Sequence, residues 1–108
     1  MLSEFVAVAK TNEIEAGQVK VVRVGAASVG VTLIAGEYFA FADVCTHDDG
    51  PVAEGELDEH TIECPRHGAR FDLRTGRALS LPAVTPIPVY LVEVAGDTLK
   101  VSSRPVKF

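Results

Sequence analysis

The stretch SVGVTLIAGEYFAFA, residues 28–42, decides the fold. Val29, Val31 and Leu33 alternate with smaller or polar partners, the period of a strand with one buried face. Gly36-Glu37 supplies a tight turn, and Tyr38 to Ala42 follows as a second strand, so the two runs predict a β-hairpin. The chain then passes directly from this hairpin into Cys45-Thr46-His47.

Toward the N-terminus, Gly25-Ala26-Ala27 separates the hairpin from a strand over Gln18 to Val24. There Val19 and Val21 share one face and Val22 and Val24 the other, which requires either a bulge or burial of both faces. Lys10 to Gly17 reads as one helical turn, capped by Thr11 or Asn12 and stopped by Gly17. Glu4 to Ala9, with Phe5, Val6 and Val8, reads as the first strand.

Toward the C-terminus the β-pattern weakens, and Asp43 to Glu63 reads as a long loop region with turn signals at Gly50-Pro51 and Gly55. Thr61-Ile62-Glu63 and Arg70 to Leu73 are short strands, with Thr75-Gly76 a turn after the second. Three prolines between Leu81 and Pro88 favour a stiff, extended segment without regular sheet pairing, able to serve as a lid. Val89 to Val94 and Thr98 to Ser102 flank Gly96-Asp97, a second hairpin signal, and Arg104 to Phe108 is a tail or an edge contact. The expected fold is all-β: an antiparallel β-sandwich or small barrel base, residues 1–108 forming a single domain, with a subdomain of loops and small strands inserted at about 43–82.

Composition narrows the function. A chain of 108 residues is large enough for one core and too small for a core plus a separate catalytic domain. With 47% hydrophobic and 23% charged residues it is expected to be globular, and the formal charge of −5 argues against a nucleic-acid partner. The N-terminus lacks a basic region followed by an apolar run, and no apolar stretch is long enough to span a membrane. A cytoplasmic monomer is expected, its two cysteines kept reduced and available to metal.

Both cysteines and two of the three histidines fall in Cys45-Thr46-His47 and Cys64-Pro65-Arg66-His67-Gly68. Each stretch offers one thiolate and one imidazole, and the sixteen residues from 48 to 63 let the chain leave and return with the second loop facing the first. Cys45, His47, Cys64 and His67 are therefore candidate ligands; His60 matches neither stretch and is expected to be a solvated loop residue. Two thiolates and two imidazoles also fit zinc, although zinc fingers pair Cys with Cys and His with His. Mixed pairs suit a two-iron, two-sulfide cluster in which each loop gives one ligand to each iron.

In residue type, order and separation, the two stretches resemble the two-loop motif of the Rieske family, and the likeness extends from about Phe39 to Val94, with Leu81-Pro82-Ala83 as the covering third loop. The resemblance implies one [2Fe-2S] cluster per chain, with Cys45 and Cys64 on the buried iron and His47 and His67 on the outer one. It also implies a low potential. High-potential members carry a disulfide where Gly50 and Arg66 stand here, and a serine and a tyrosine where Ala69 and Phe71 stand. Without those hydroxyls on sulfur, the potential is expected toward the lower end of the Rieske range, about −150 to +300 mV.

The nearest resemblance is to the soluble ferredoxins of bacterial aromatic-ring dioxygenase systems. It implies a one-electron carrier, not itself an enzyme, taking electrons from a flavoprotein reductase and passing them to a terminal Rieske oxygenase. The alternatives are a Rieske-like small subunit of a nitrite reductase and a zinc-stabilised interaction module. Acidic residues crowd positions 43 to 63, and Arg66, Arg70, Arg74 and Arg77 follow, which forms either two docking faces or a set of local ion pairs.

Overall fold

The computed structural model describes residues 4–44, 52–53, 55–65, 68–80 and 86–105. In chain order its strands are β1 (Phe5–Lys10), β2 (Val19–Val24), β3 (Ala27–Ile34), β4 (Glu37–Ala42), β5 (Glu56–Asp58), β6 (Thr61–Glu63), β7 (Arg70–Asp72), β8 (Val89–Tyr90), β9 (Val92–Ala95) and β10 (Thr98–Ser102). They pair antiparallel in three sheets of order β1-β10-β9, β2-β3-β4-β8 and β5-β6-β7. The all-β expectation holds.

Alternation along β3 and β4 gives the four-stranded sheet two apolar faces. Val29 and Val31 of β3 and Ala40 of β4 join Val22, Val24, Leu99 and Val101 in a core between this sheet and β1-β10-β9. Phe41 and Val89 face the other way, into a second cluster with Ile62, Cys64 and Phe71 of the β5-β6-β7 region. Gly30, opposite Phe41 in the β3–β4 register, makes room for this: a Cβ there would lie 2.6 Å from the Phe41 ring. Phe41 is fully buried as a result, a contribution of roughly 1.5–3 kcal/mol.

Several local expectations are corrected. The turn after β1 is a 3-10 turn, Thr11–Glu13, with Lys10 as its N-cap; the Lys10 N–H donates to the Glu13 carboxylate at 2.8 Å. It stops before Gly17 because Ile14 takes an extended conformation and enters the core at 5% exposure. The pairing of β2 with β3 runs without a bulge, and Val19 packs on the second cluster while Val21, beyond its reach, is 48% exposed. A bulge occurs instead in β1, between Ala7 and Ala9.

Glu56–Asp58, read as loop, is a strand held by β6. Val89 to Val94 is divided: Val89 and Tyr90 pair with β4, while Val92 to Val94 pair with β10. At the change of sheet the Leu91 N–H donates to Ser102 Oγ at 3.0 Å, and Ser102 N–H donates to the Leu91 carbonyl at 2.9 Å.

The β3–β4 turn lies one residue earlier than expected. Ile34 pairs with Glu37, so Ala35 and Gly36 form the turn, with φ of +51° and +83°. Positive φ at both central residues is the type I′ pattern, which costs an alanine about 1 kcal/mol or more. Ala35→Asn, giving the preferred Asn-Gly pair, is therefore expected to raise the thermal midpoint by about 4–8 °C. An unchanged midpoint in a calorimetric comparison contradicts this account of the turn.

Candidate metal centre

The second candidate stretch lies in the chain between two paired strands. β6 and β7 are in register from Thr61–Asp72 to Glu63–Arg70, and the Cys64 N–H then donates to the Ala69 carbonyl at 2.6 Å. Gly68 N–H closes the turn onto the Cys64 carbonyl at 3.0 Å, in a backbone conformation, φ +75°, that favours glycine. Cys64 is a free cysteine, 1% exposed, with fully buried Ile62, Ala69 and Phe71 in the same cluster.

The base of the first ligand loop meets the same cluster. Asp43, just past the end of β4, accepts hydrogen bonds at Oδ1 from the N–H groups of Val52 (2.9 Å) and Ala53 (2.7 Å). Val52 and Ala53 are themselves buried members of the Cys64 cluster. The chain then turns at Gly55, whose N–H donates to the Val52 carbonyl; a Cβ on Gly55 would overlap the Glu63 carbonyl oxygen, so only glycine fits against β6 here.

The proline-containing stretch is tied down on both sides. Ser80 Oγ accepts the Arg70 N–H at 3.1 Å, and Leu79 N–H donates to the Arg70 carbonyl at 2.7 Å. Beyond it, Ile87 N–H donates to the Gly76 carbonyl, where a Cβ on Gly76 would strike the Ile87 carbonyl. The described flanks of all three loops thus converge on the β6–β7 hairpin.

Of the four candidate ligands, the structure describes Cys64; Cys45, His47 and His67 lie outside the described residues, as do Gly50, Arg66 and Leu81-Pro82-Ala83. Among the described residues no three His, Cys, Asp or Glu side chains gather at one point. His60 is not merely solvated: its ring meets Phe39 edge-on with centroids 5.3 Å apart, and its carbonyl accepts the Leu73 N–H.

Two ion pairs lie on the β6–β7 hairpin and the turn after it. Arg70 Nε meets Glu63 Oε1 at 3.0 Å across the hairpin, and Arg74 binds both carboxylate oxygens of Asp72 at 3.1 Å. The Arg74 hydrogen bond holds the Asp72 carboxyl below its ordinary value despite its partial burial. Asp43 points into the backbone of the loop base, a role hidden in sequence because its donors lie nine and ten residues away. An aspartate just ahead of a turn-rich loop was the available signal.

A buried free thiol at the root of a glycine-closed turn, with the base of the other Cys/His loop in the same apolar cluster, fits a metal–sulfur group held between two loops. Comparisons with known proteins agree. Residues 4–91 match the family described as Rieske [2Fe-2S] domain. The ferredoxin component of biphenyl 2,3-dioxygenase from Rhodococcus jostii (strain RHA1) is 41% identical over 68 residues, 63% of this chain and 64% of that protein. The match therefore spans less than two thirds of that relative's length. Among solved structures, the ferredoxin of carbazole 1,9a-dioxygenase from Nocardioides aromaticivorans IC177 superposes with a TM-score of 0.87 at 32% identity, covering 92% of this chain and 97% of that one. A chain from a complex of reduced oxygenase and oxidized ferredoxin in carbazole 1,9a-dioxygenase gives a TM-score of 0.90 at 32% identity, covering 99% of this chain and 100% of its own.

The Asp72–Arg74 pair makes hairpin stability depend on pH. A carboxyl whose folded-state pKa is depressed adds stability above its unfolded value, near 4, and loses it as pH falls through the folded value. Asp72→Asn is expected to lower the urea midpoint at pH 7, with the gap from the parent narrower at about pH 2.5. A gap of equal size at both pH values would remove the ionised pair as its cause.

Proposed function

The chain belongs to the Rieske [2Fe-2S] domain family, and from that premise we propose that it is a one-electron carrier of an aromatic-ring dioxygenase system. The burial of Cys64 in the cluster that also receives the base of the first loop carries this reading. Cys45 and Cys64 would hold one iron and His47 and His67 the other, within a subdomain of about residues 43–82. When bound, the group supplies a site that takes up and gives back a single electron. The chain's own residues fix the loops that present it and shut water away from Cys64.

The partners are a flavoprotein reductase as donor and a terminal oxygenase as acceptor, and the setting is the cytoplasm. The names of the similar proteins support the oxygenase: one is a component of biphenyl 2,3-dioxygenase, and another comes from a complex with an oxygenase. No helix among the described residues is long and apolar enough to cross a membrane.

Purified protein is expected to be red-brown with two irons and two acid-labile sulfides per chain, and to mediate electron flow from such a reductase to such an oxygenase. Colourless protein holding one zinc would sink the reading. Ala69 and Phe71 are both fully buried beside Cys64 and offer no side-chain hydroxyl to sulfur, so a titration should place the midpoint toward the lower end of the range of about −150 to +300 mV. Ala69→Ser and Phe71→Tyr are each expected to raise it; a clearly positive parent midpoint contradicts the assignment.

A further inference from the structure

We infer that Asp43 is a positioning residue for the iron–sulfur group: its carboxylate clamps the two ends of the first ligand loop together beside Cys64. The inference rests on the cluster reading above and concerns what holds that site open to its ligand. Asp43 is fixed on the rigid side, since its own N–H donates to the Ser28 carbonyl at 3.0 Å and the neighbouring Ala42 N–H donates to the Pro88 carbonyl at 2.9 Å. On the other side, Oδ1 takes the N–H groups of both Val52 and Ala53.

Those two residues are 0% and 7% exposed, so in the folded chain their N–H groups depend on the carboxylate as acceptor. Asp43 and Val52-Ala53, which flank the eight residues 44–51 that include Cys45 and His47, are thereby joined. Closing that loop costs chain entropy, and the clamp meets the cost within the protein rather than at the moment of binding. Val52 in turn accepts from Gly55, which lies against Glu63 of β6, the strand that leads into Cys64. One carboxylate therefore ties the end of β4 to the turn that lies against β6.

An alanine at position 43 leaves two buried donors without their acceptor, whereas the amide oxygen of asparagine can accept the same pair. The test uses loaded protein, follows the loss of visible absorbance in excess chelator, and records far-UV circular dichroism and iron and sulfide content alongside. Asp43→Ala is expected to release iron about 10- to 100-fold faster than the parent, with its sheet signature unchanged. Asp43→Asn is expected to restore most of the retention.

Release from Asp43→Ala at the parental rate overturns the inference. So does release from Asp43→Asn as fast as from Asp43→Ala, because the two acceptor bonds would then not be the cause. Loss of the sheet signature in Asp43→Ala also overturns it, by assigning Asp43 to the folding of the base. A parent chain that takes up no iron and sulfide is a different result: it sinks the cluster reading and this inference with it.

Discussion

Two backbone approaches too close for a side chain hold the loop region together: Gly55 against the Glu63 carbonyl, and Gly76 against the Ile87 carbonyl. Each brings the root of a loop into contact distance of the β6–β7 hairpin or its following turn. Neither can be made by an alanine without moving backbone, so the constraint is steric before it is energetic. Hydrogen bonds then make the arrangement specific. The Val52 carbonyl accepts from Gly55, and the Gly76 carbonyl accepts from Ile87, at the places where the chains meet.

The four-stranded sheet lets this region and the base share one scaffold. One face packs on β1-β10-β9 through valines, while the other offers Phe41 and Val89 to the cluster containing Cys64. Gly30 permits the packing of that second face, because the ring of Phe41 occupies the space that a side chain there would take. Nothing comparable to a helix is needed to cover the second face. The small β5-β6-β7 sheet and the loop bases cover it, and in doing so place a thiol in an apolar interior.

What could be read from the sequence was governed by the range of the interaction. The alternation of Val29, Val31 and Leu33 is local, and the hairpin it predicts is present. The turn was placed one residue late because Ala35 carries no sign of its positive φ; Ile34–Glu37 pairing, not residue preference, forces that conformation. Glu56–Asp58 has a single apolar residue and becomes a strand only because β6 pairs with it. The division at Leu91 was hidden in a continuous apolar run, since the group that takes the Leu91 N–H is Ser102, eleven residues on. The cysteines and histidines were singled out for another reason: few residue types bind soft metals, so their spacing suggests chemistry; of the four, only Cys64 lies among the described residues.

The same difference in range separates the scaffold of the site from its ligands. The proposed ligands are written in two short stretches, but the hydrogen bonds at the base of the first involve Asp43, Val52, Ala53 and Gly55, which no ligand motif includes. Under the proposed function, that division serves the carriage of single electrons. Its ligands must hold the same positions in both charge states, and a loop closed at its base by buried hydrogen bonds has few alternative arrangements to adopt when the charge changes. Substituting the ligands alters which group is bound, whereas substituting the base alters how firmly any group is held. Two chains could therefore share every ligand residue and still differ in cluster retention, with the difference lying in residues such as Asp43 and Gly55.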